Sequence, residues 1–223
     1  MNFTLSGSAL KVVAVLSMIS DHAAYFLLPS ESLLYEVLRI LGRIAFPVFA
    51  FLAAEGFLHT SNRVKYALHL LLFALLSEIP WFLLFGADGT HNVLFTLLLG
   101  ILVLAVFASF PKRPFLGIAV LTTVAATATL FDVDYEWRGV LLVAVFYLFG
   151  SAAPAFLPSG KWAQIICAFP LMMHYGFLGA LAAAATLFLY DGSRGFIRGS
   201  LAKYAFYAFY PLHLFFFLVA VTF

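Results

Sequence analysis

Long apolar runs constrain this chain more than any other feature. A helix that crosses the hydrocarbon core of a bilayer needs about 20 mostly apolar residues. Stretches of this length follow one another along the sequence and are separated by short segments rich in Pro, Gly and charged residues. We predict spanning helices at Leu10–Leu28, Val37–Leu58, Tyr66–Phe85, Asn92–Phe110, Phe115–Phe131, Gly139–Leu157 and Lys203–Phe223.

The composition supports a membrane protein over a soluble one. Hydrophobic residues make up 65% of the chain and charged residues only 10%, against about 25% charged residues in soluble globular domains. Too little polar surface remains to cover a body that faces water, so the bilayer must be the solvent. The sequence predicts one integral membrane domain over residues 1–223, an all-α polytopic bundle of about eight or nine spans.

The segment Trp162–Tyr190 decides between eight and nine spans. It is long for one crossing and short for two, and Pro170 and the run His174-Tyr175-Gly176 interrupt it. Broken helices are tolerated at membrane depth only where protein or a cavity covers the freed backbone groups. Both counts therefore stay open from this segment alone.

Basic and acidic loops alternate along the chain. Residues 63–65 and 112–113 are basic, whereas residue 88 and the segment 132–136 are acidic. Cytoplasmic loops of membrane proteins carry an excess of Lys and Arg, so we predict a cytoplasmic N-terminus. The basic segment 194–203 joins the cytoplasmic side only if Trp162–Tyr190 crosses twice, which favours nine spans.

Several ionisable residues fall inside the predicted spans. A charge at the centre of a spanning helix costs about 2.5–3.5 kcal/mol on insertion scales, and such residues usually face the bundle interior and mark a functional site. An enzyme would use them for catalysis, a small transporter or channel would use them as a polar path, and a purely structural protein would leave them idle. The residues concerned are Asp21, His22, Arg39, Arg43, Glu55, Glu78 and His213.

Two pairs among these residues suggest specific contacts. Asp21 and His22 suggest a general base oriented by a carboxylate, but neighbours on a helix point about 100° apart. A structural aspartate beside a core histidine therefore explains the same pair. Arg39 and Arg43 are four residues apart and share a helix face. Their candidate partners are Asp21, Glu31 and Glu36. No metal-ligand spacing appears, and we predict no metal site.

The order of several motifs resembles the TraX family of membrane proteins. The first helix holds Leu10-Lys11 followed by Ser20-Asp21-His22, and the resemblance extends over most of the chain. The other matching segments are Arg39–Phe51 with Glu55-Gly56-Phe57, Ser77–Pro80, Asn92–Gly100, Tyr135–Leu142, Arg194-Gly195, Lys203-Tyr204 and Phe209–His213.

The resemblance implies an acetyltransferase of the bacterial cytoplasmic membrane that uses acetyl-CoA. The family is named after a protein that N-acetylates the pilin of conjugative pili. It is also similar to larger membrane acyltransferases of surface polysaccharides, which carry Arg-x10-His in their first helix. Here Lys11 and His22 stand at that spacing, with Lys in place of Arg. The acceptor would be an amine or hydroxyl of a pilin-like or surface molecule, and nothing in the charge of +2 suggests a nucleic acid partner.

The resemblance also implies roles for individual residues. His22 would either deprotonate the acceptor or carry the acetyl group, with Asp21, Arg43 and His213 as further catalytic residues. CoA would bind at the cytoplasmic face through a second set of residues, and a third set would contact the acceptor. The CoA set is Arg194, Arg198, Lys203 and Tyr204, and the acceptor set is Arg39, Glu55, Glu78 and Tyr210.

Overall fold

The fold is an assembly of helices. The computed structural model describes residues 3–86, 88–154 and 157–223, and this part of the chain contains two isolated β-bridges and no β-strand. The all-α prediction is confirmed. The helices are α1 (Gly7–Leu27), α2 (Leu33–Gly42), α3 (Ala45–His59), α4 (Arg63–Phe85), α5 (Val93–Ser109), α6 (Pro114–Leu130), α7 (Glu136–Leu148), α8 (Lys161–Met173), α9 (Phe177–Phe188) and α10 (Gly199–Thr222).

Four segments in this part of the chain are long and apolar enough to cross a bilayer. They are Gly7–Leu27, the combined α2–α3 segment Leu33–His59, Arg63–Phe85 and Leu201–Thr222. The remaining apolar helices have 12 to 17 residues. The predicted spans match these helices to within a few residues at most ends. A serine or asparagine side chain caps the start of α1, α2, α4 and α5. The Ser6 side chain, for example, accepts a hydrogen bond from the backbone N–H of Ala9, so α1 begins before Leu10.

The second predicted span is not one helix. It breaks at Arg43 and Ile44, between α2 and α3. Pro47 explains the break, because proline lacks an N–H for the carbonyl four residues earlier and its ring clashes with that carbonyl. The carbonyl concerned belongs to Arg43. The prediction of a continuous helix over Val37–Leu58 was therefore wrong.

Two further predictions needed correction. The sixth predicted helix, Gly139–Leu157, ends already at Leu148, where a turn follows; residues 155 and 156 lie outside the described residues. Gly150 sits in this turn, and a Cβ there would meet the carbonyl oxygen of Phe146 at 2.7 Å. In the ambiguous segment, Pro170 lies within α8, and only residues 174–176 separate α8 from α9. The segment thus forms two short helices that pack against each other.

The connecting segments group at two ends of the bundle. At the first end, the N-terminal Leu5 pairs with Tyr190 in the segment between α9 and α10. At the second end, the α4–α5 connection pairs with the α6–α7 connection through His91 and Val133. Tyr135 at this second end also contacts Tyr175 in the α8–α9 turn, with ring centroids 4.6 Å apart.

Helix α3 lies at the centre of the bundle. It contacts α1, α5, α7 and α9, and most of its apolar side chains are buried, including Phe46, Phe51 and Phe57. Phe51 packs edge-on against Phe146 of α7, with ring centroids 5.4 Å apart. The outer helices turn many large apolar side chains outward, as lipid-facing helices do. Helices α1, α3 and α10 contribute to the lining of the cavity described next.

Candidate functional site

A cavity of about 650 Å³ runs along the interior between α1, α3, α4, α5 and α10. Its residues at the first end include Thr60, Ser61 and Gly192. Its walls also include Val93 and Leu94, at the start of α5 and therefore toward the second end. The cavity thus reaches from one end of the bundle deep toward the other.

The side of the cavity at the first end is cationic. Lys11, Arg194 and Lys203 all line it. The Lys11 ammonium lies 5.2 Å from the ring centroid of Phe206, and the Lys203 ammonium lies 5.9 Å from that of Tyr207. Three converging cations attract phosphate groups, which accept strong charge-assisted hydrogen bonds.

The start of α1 fixes the segment that carries Arg194. The N–H groups of Gly7 and Ser8, which have no partner within the helix, donate to the carbonyls of Ser193 (2.7 Å) and Arg194 (3.0 Å). Gly195 follows with φ of +82°, and a Cβ there would lie 2.3 Å from Ser6 Oγ, so glycine is required for this close approach. Hydrogen bonds from Ser193 hold the pKa of the neighbouring Asp191 below its usual range.

The cavity wall follows one face of α1 toward His22. Residues 11, 18 and 22 are spaced by seven and four, so their side chains lie close to one helical line. Lys11 and Met18 line the cavity, and His22 lies one turn further along the same line. At 1.5 Å per residue, Lys11 and His22 are about 16 Å apart along the axis.

Helix α10 repeats this pattern on the opposite wall. Lys203, Phe206 and Tyr210 line the cavity, and His213 follows three residues after Tyr210. The rings of Tyr210 and His213 pack with centroids 5.1 Å apart. The cationic residues therefore lie at one end of both walls and the two histidines lie at the other.

His22 and His213 form a direct hydrogen bond. Nδ1 of His22 lies 2.8 Å from Nε2 of His213, and the ring planes are within 1° of parallel. Nδ1 of His213 lies 3.2 Å from the carbonyl oxygen of Phe209. A carbonyl only accepts, so Nδ1 of His213 carries a proton.

This assignment fixes the tautomer of both neutral rings. Nε2 of a neutral His213 is an acceptor, so Nδ1 of His22 must donate to it. The lone pair of His22 is then on Nε2, which has no hydrogen-bond partner among the described residues. The pair presents one imidazole nitrogen that is ready to accept a proton.

Asp21 points away from His22 and toward α2. Its Oδ2 accepts a hydrogen bond from Nη1 of Arg39 at 2.6 Å. The carboxylate packs directly on Gly42, where a Cβ would lie 2.3 Å from Oδ1 of Asp21. The hydroxyl of Ser17 donates to the carbonyl of Gly42 in the same contact. Of the two explanations that the sequence left open for the Asp21–His22 pair, the structure shows the structural one, because Asp21 pairs with Arg39 and it is His213 that contacts His22.

We predict that Gly42→Ala destabilises the protein by about 1–3 kcal/mol, as overpacking of a tight contact does. The added methyl group must displace the Asp21 carboxylate from Arg39. Thermal unfolding in detergent measures the effect. Leu41→Ala is the matched control, because the Leu41 side chain is 43% exposed. Equal unfolding midpoints for the two variants would contradict the packing described here.

The sequence of this chain is similar to a known protein family. The profile described as TraX protein matches residues 6–221. The chain belongs to the TraX family. Among curated proteins, a probable fimbrial assembly protein, FimC of serogroup H1, from Dichelobacter nodosus is 33% identical and covers 96% of this chain and 94% of its own length. An uncharacterized protein of Rickettsia prowazekii is 33% identical over 41% of this chain and 33% of its own. No solved structure matches.

This TraX-family protein gathers only part of the predicted site around the cavity. Glu55, Lys203, Arg194 and Tyr210 line it, and Lys11 lines it as well. Arg198 is exposed and donates from Nε to the carbonyl of its neighbour Gly195, outside the cavity lining. Tyr204 bonds through its hydroxyl to His69 instead.

Two other predicted site residues, Glu78 and Arg43, do not line the cavity and make different contacts. Glu78 lies 2.5 Å from Nδ1 of His91 and accepts from the Asn92 side chain. Arg43 packs through its Cβ and Cγ against α9, where a Cβ on Gly179 would meet them at 2.4–2.9 Å. No contact of Arg43 with His22 or His213 is found among the described residues, so the predicted convergence of these three side chains is not seen.

Proposed function

We propose that this TraX-family protein is a membrane acetyltransferase that uses acetyl-CoA. One observation carries the proposal. The large cavity is lined by cations at the first end of the bundle, and the His22–His213 pair lies beyond its opposite end. CoA has phosphates at one end and its thiol at the other, so it matches this polarity. Its phosphates would meet Lys11, Arg194 and Lys203, and its pantetheine arm would run between α1 and α10 toward His22.

The chemistry assigned to the pair is a general-base transfer. Nε2 of His22 accepts the proton of the acceptor amine or hydroxyl as that nitrogen or oxygen forms a bond to the acetyl carbon. The carbon–sulfur bond of the thioester breaks, and the CoA sulfur leaves with the electron pair. The proton then passes from His22 to the sulfur, so the products are the acetylated acceptor and CoA. His213 keeps Nδ1 of His22 as a donor throughout and positions the ring.

We infer the class of acceptor from the TraX family and from the similar fimbrial assembly protein of Dichelobacter nodosus. A role connected with pili or fimbriae is supported by the TraX family and by the similarity to a probable fimbrial assembly protein. We propose a pilin-type subunit as the acceptor. The cavity approaches the second end near Val93 and Leu94, which would let an acceptor come from the side opposite to CoA.

This function requires a defined orientation in the membrane. We propose nine crossings, with α2 and α3 as one broken span, and with the first end of the bundle in the cytoplasm where acetyl-CoA is found. The alternation of basic and acidic connections supports it. A single cysteine introduced at Lys112, in a chain with Cys167→Ala, should resist impermeant thiol reagents in intact cells and react after lysis. Labelling of position 112 from outside would overturn the orientation.

Binding of the donor is the most direct test of the proposed substrate. Acetyl-CoA should raise the unfolding midpoint of the purified protein in detergent, because a ligand of the native state at 100 times its Kd adds about 2.7 kcal/mol of stability. Acetyl phosphate is the control, since it carries the acetyl group without the CoA body. An unchanged midpoint at millimolar acetyl-CoA would contradict the proposal.

A further inference from the structure

A second, smaller cavity of about 280 Å³ adjoins the large one at the first end. The two cavities share Glu55, His59, Tyr190 and Gly192 in their walls. Gly192 lies two residues before the cationic Arg194. Because the two cavities share these walls, a ligand bound in the large cavity through Arg194 would have the small cavity next to the cavity it occupies.

The wall of the small cavity contains an oriented amide. Gln164 on α8 is buried, and its Nε2 donates to the carbonyl of Phe146 at 2.6 Å. Because a carbonyl only accepts, this bond fixes which side of the amide is nitrogen. Oε1 of Gln164 accepts no hydrogen bond from the described residues, and the amide nitrogen keeps a second N–H.

A carboxylate and aromatic rings complete the wall. Glu55 lines both cavities, and its Oε2 lies 3.5 Å from the Tyr190 hydroxyl. Phe51 packs edge-on with Phe146 and with Tyr190, at centroid distances of 5.4 and 5.2 Å. Apolar ring edges and faces suit a flat aromatic ligand. Oε1 of Gln164 and Oε1 of Glu55 accept no hydrogen bond from the described residues, so they call for a ligand that donates hydrogen bonds.

We propose that the small cavity binds the adenine ring of CoA. This inference rests on the proposed function and adds a base-recognising part to the same site. Adenine offers an exocyclic amine that donates beside a ring nitrogen that accepts, the pattern that a glutamine side chain reads with its oxygen and its N–H. Guanine carries an oxygen in place of that amine and would face the oxygens of Gln164 and Glu55 unfavourably.

Competition with nucleotides tests the base preference in the unmodified protein. Full-length protein in detergent is loaded with labelled CoA, and adenosine 3′,5′-bisphosphate and guanosine 3′,5′-bisphosphate are compared as competitors. We expect the adenosine compound to compete at least about tenfold better, since a site built around hydrogen bonds discriminates strongly against the wrong partner. Equal competition by both compounds would overturn the inference.

A variant tests the role of Gln164 itself. Gln164→Leu should weaken CoA binding about five- to tenfold, the worth of one lost hydrogen bond. The same variant should bind S-acetyl-4′-phosphopantetheine, which lacks the adenosine, as well as the unchanged protein does, and this binding also reports that the variant is folded. Ile166→Ala, at an exposed position of α8, is the matched control.

The outcomes separate this inference from the proposed function. Equal losses of affinity for CoA and for the phosphopantetheine compound in Gln164→Leu would overturn the adenine assignment. So would unchanged CoA affinity in that variant. If the unmodified protein binds CoA without any preference for adenine, the inference alone fails. If it binds neither CoA nor the phosphopantetheine compound, the proposed function fails and the inference with it.

Discussion

His22→Ala is expected to lower acetyl transfer by about 10²–10⁴-fold, the usual worth of general-base help. The variant removes the imidazole nitrogen that the His213 contact leaves free. Acetyl-CoA binding should change little, because Lys11, one of the cations that would hold its phosphates, lies about 16 Å from His22 along α1. Initial rates with labelled acetyl-CoA, measured beside equilibrium binding, separate the two effects.

Two other histidine variants sharpen this prediction. His213→Ala should give an intermediate loss, because His22 then loses the acceptor that fixes its tautomer but keeps its own imidazole. His174→Ala should behave like the unchanged protein, since His174 is exposed in the α8–α9 turn. If His22→Ala keeps near-normal turnover with an identified acceptor, His22 is not the base and the role passes to another group.

The double variant Arg194→Ala/Lys203→Ala should weaken CoA binding by about 10- to 100-fold. A hydrogen bond to a charged group contributes about 1.5–3 kcal/mol, and the solvent exposure of both side chains reduces this figure. The affinity of the unchanged protein should also fall with ionic strength, and the variant should show a weaker salt dependence. Binding isotherms at two salt concentrations measure both effects.

The control for this variant removes two cations outside the cavity. Arg198→Ala/Lys112→Ala has the same change of net charge, but neither residue lines the cavity. Its CoA affinity and salt dependence should match those of the unchanged protein. A loss as large as that of Arg194→Ala/Lys203→Ala would mean that CoA responds to overall charge and is not held at the cavity.

Apolar runs were sufficient to predict most of the helices, but not the break between α2 and α3, the division into α8 and α9, or all of the helix ends. The long spans follow from apolar runs and from capping residues such as Ser6. The early end of α7 at Leu148 depends on the contact of Gly150 with Phe146 and Gln164, which no local pattern reveals. Pro47 was visible in the sequence, and the clash of a proline ring with the carbonyl of Arg43 could have predicted the break there.

The sequence could predict only the part of the site that lies on a single face of one helix. Lys11, Met18 and His22 lie on one line because of their spacing, so their common helix face could be derived from the sequence. Whether Asp21 meets Arg39 or His22 depends on which helix packs on each side of α1. The tautomer of His22 depends on a carbonyl in α10, at Phe209, and such long-range contacts appear only in the folded structure.

Transfer of a labelled acetyl group tests the central claim most directly. The purified protein, reconstituted in lipid vesicles, is incubated with acetyl-CoA labelled in the acetyl group and with a pilin-type subunit as the acceptor. The account predicts that label enters an amine or hydroxyl of the subunit, that one CoA thiol is released per label, and that His22→Ala loses both signals together. Binding of acetyl-CoA with no thiol release and no labelled acceptor would contradict it.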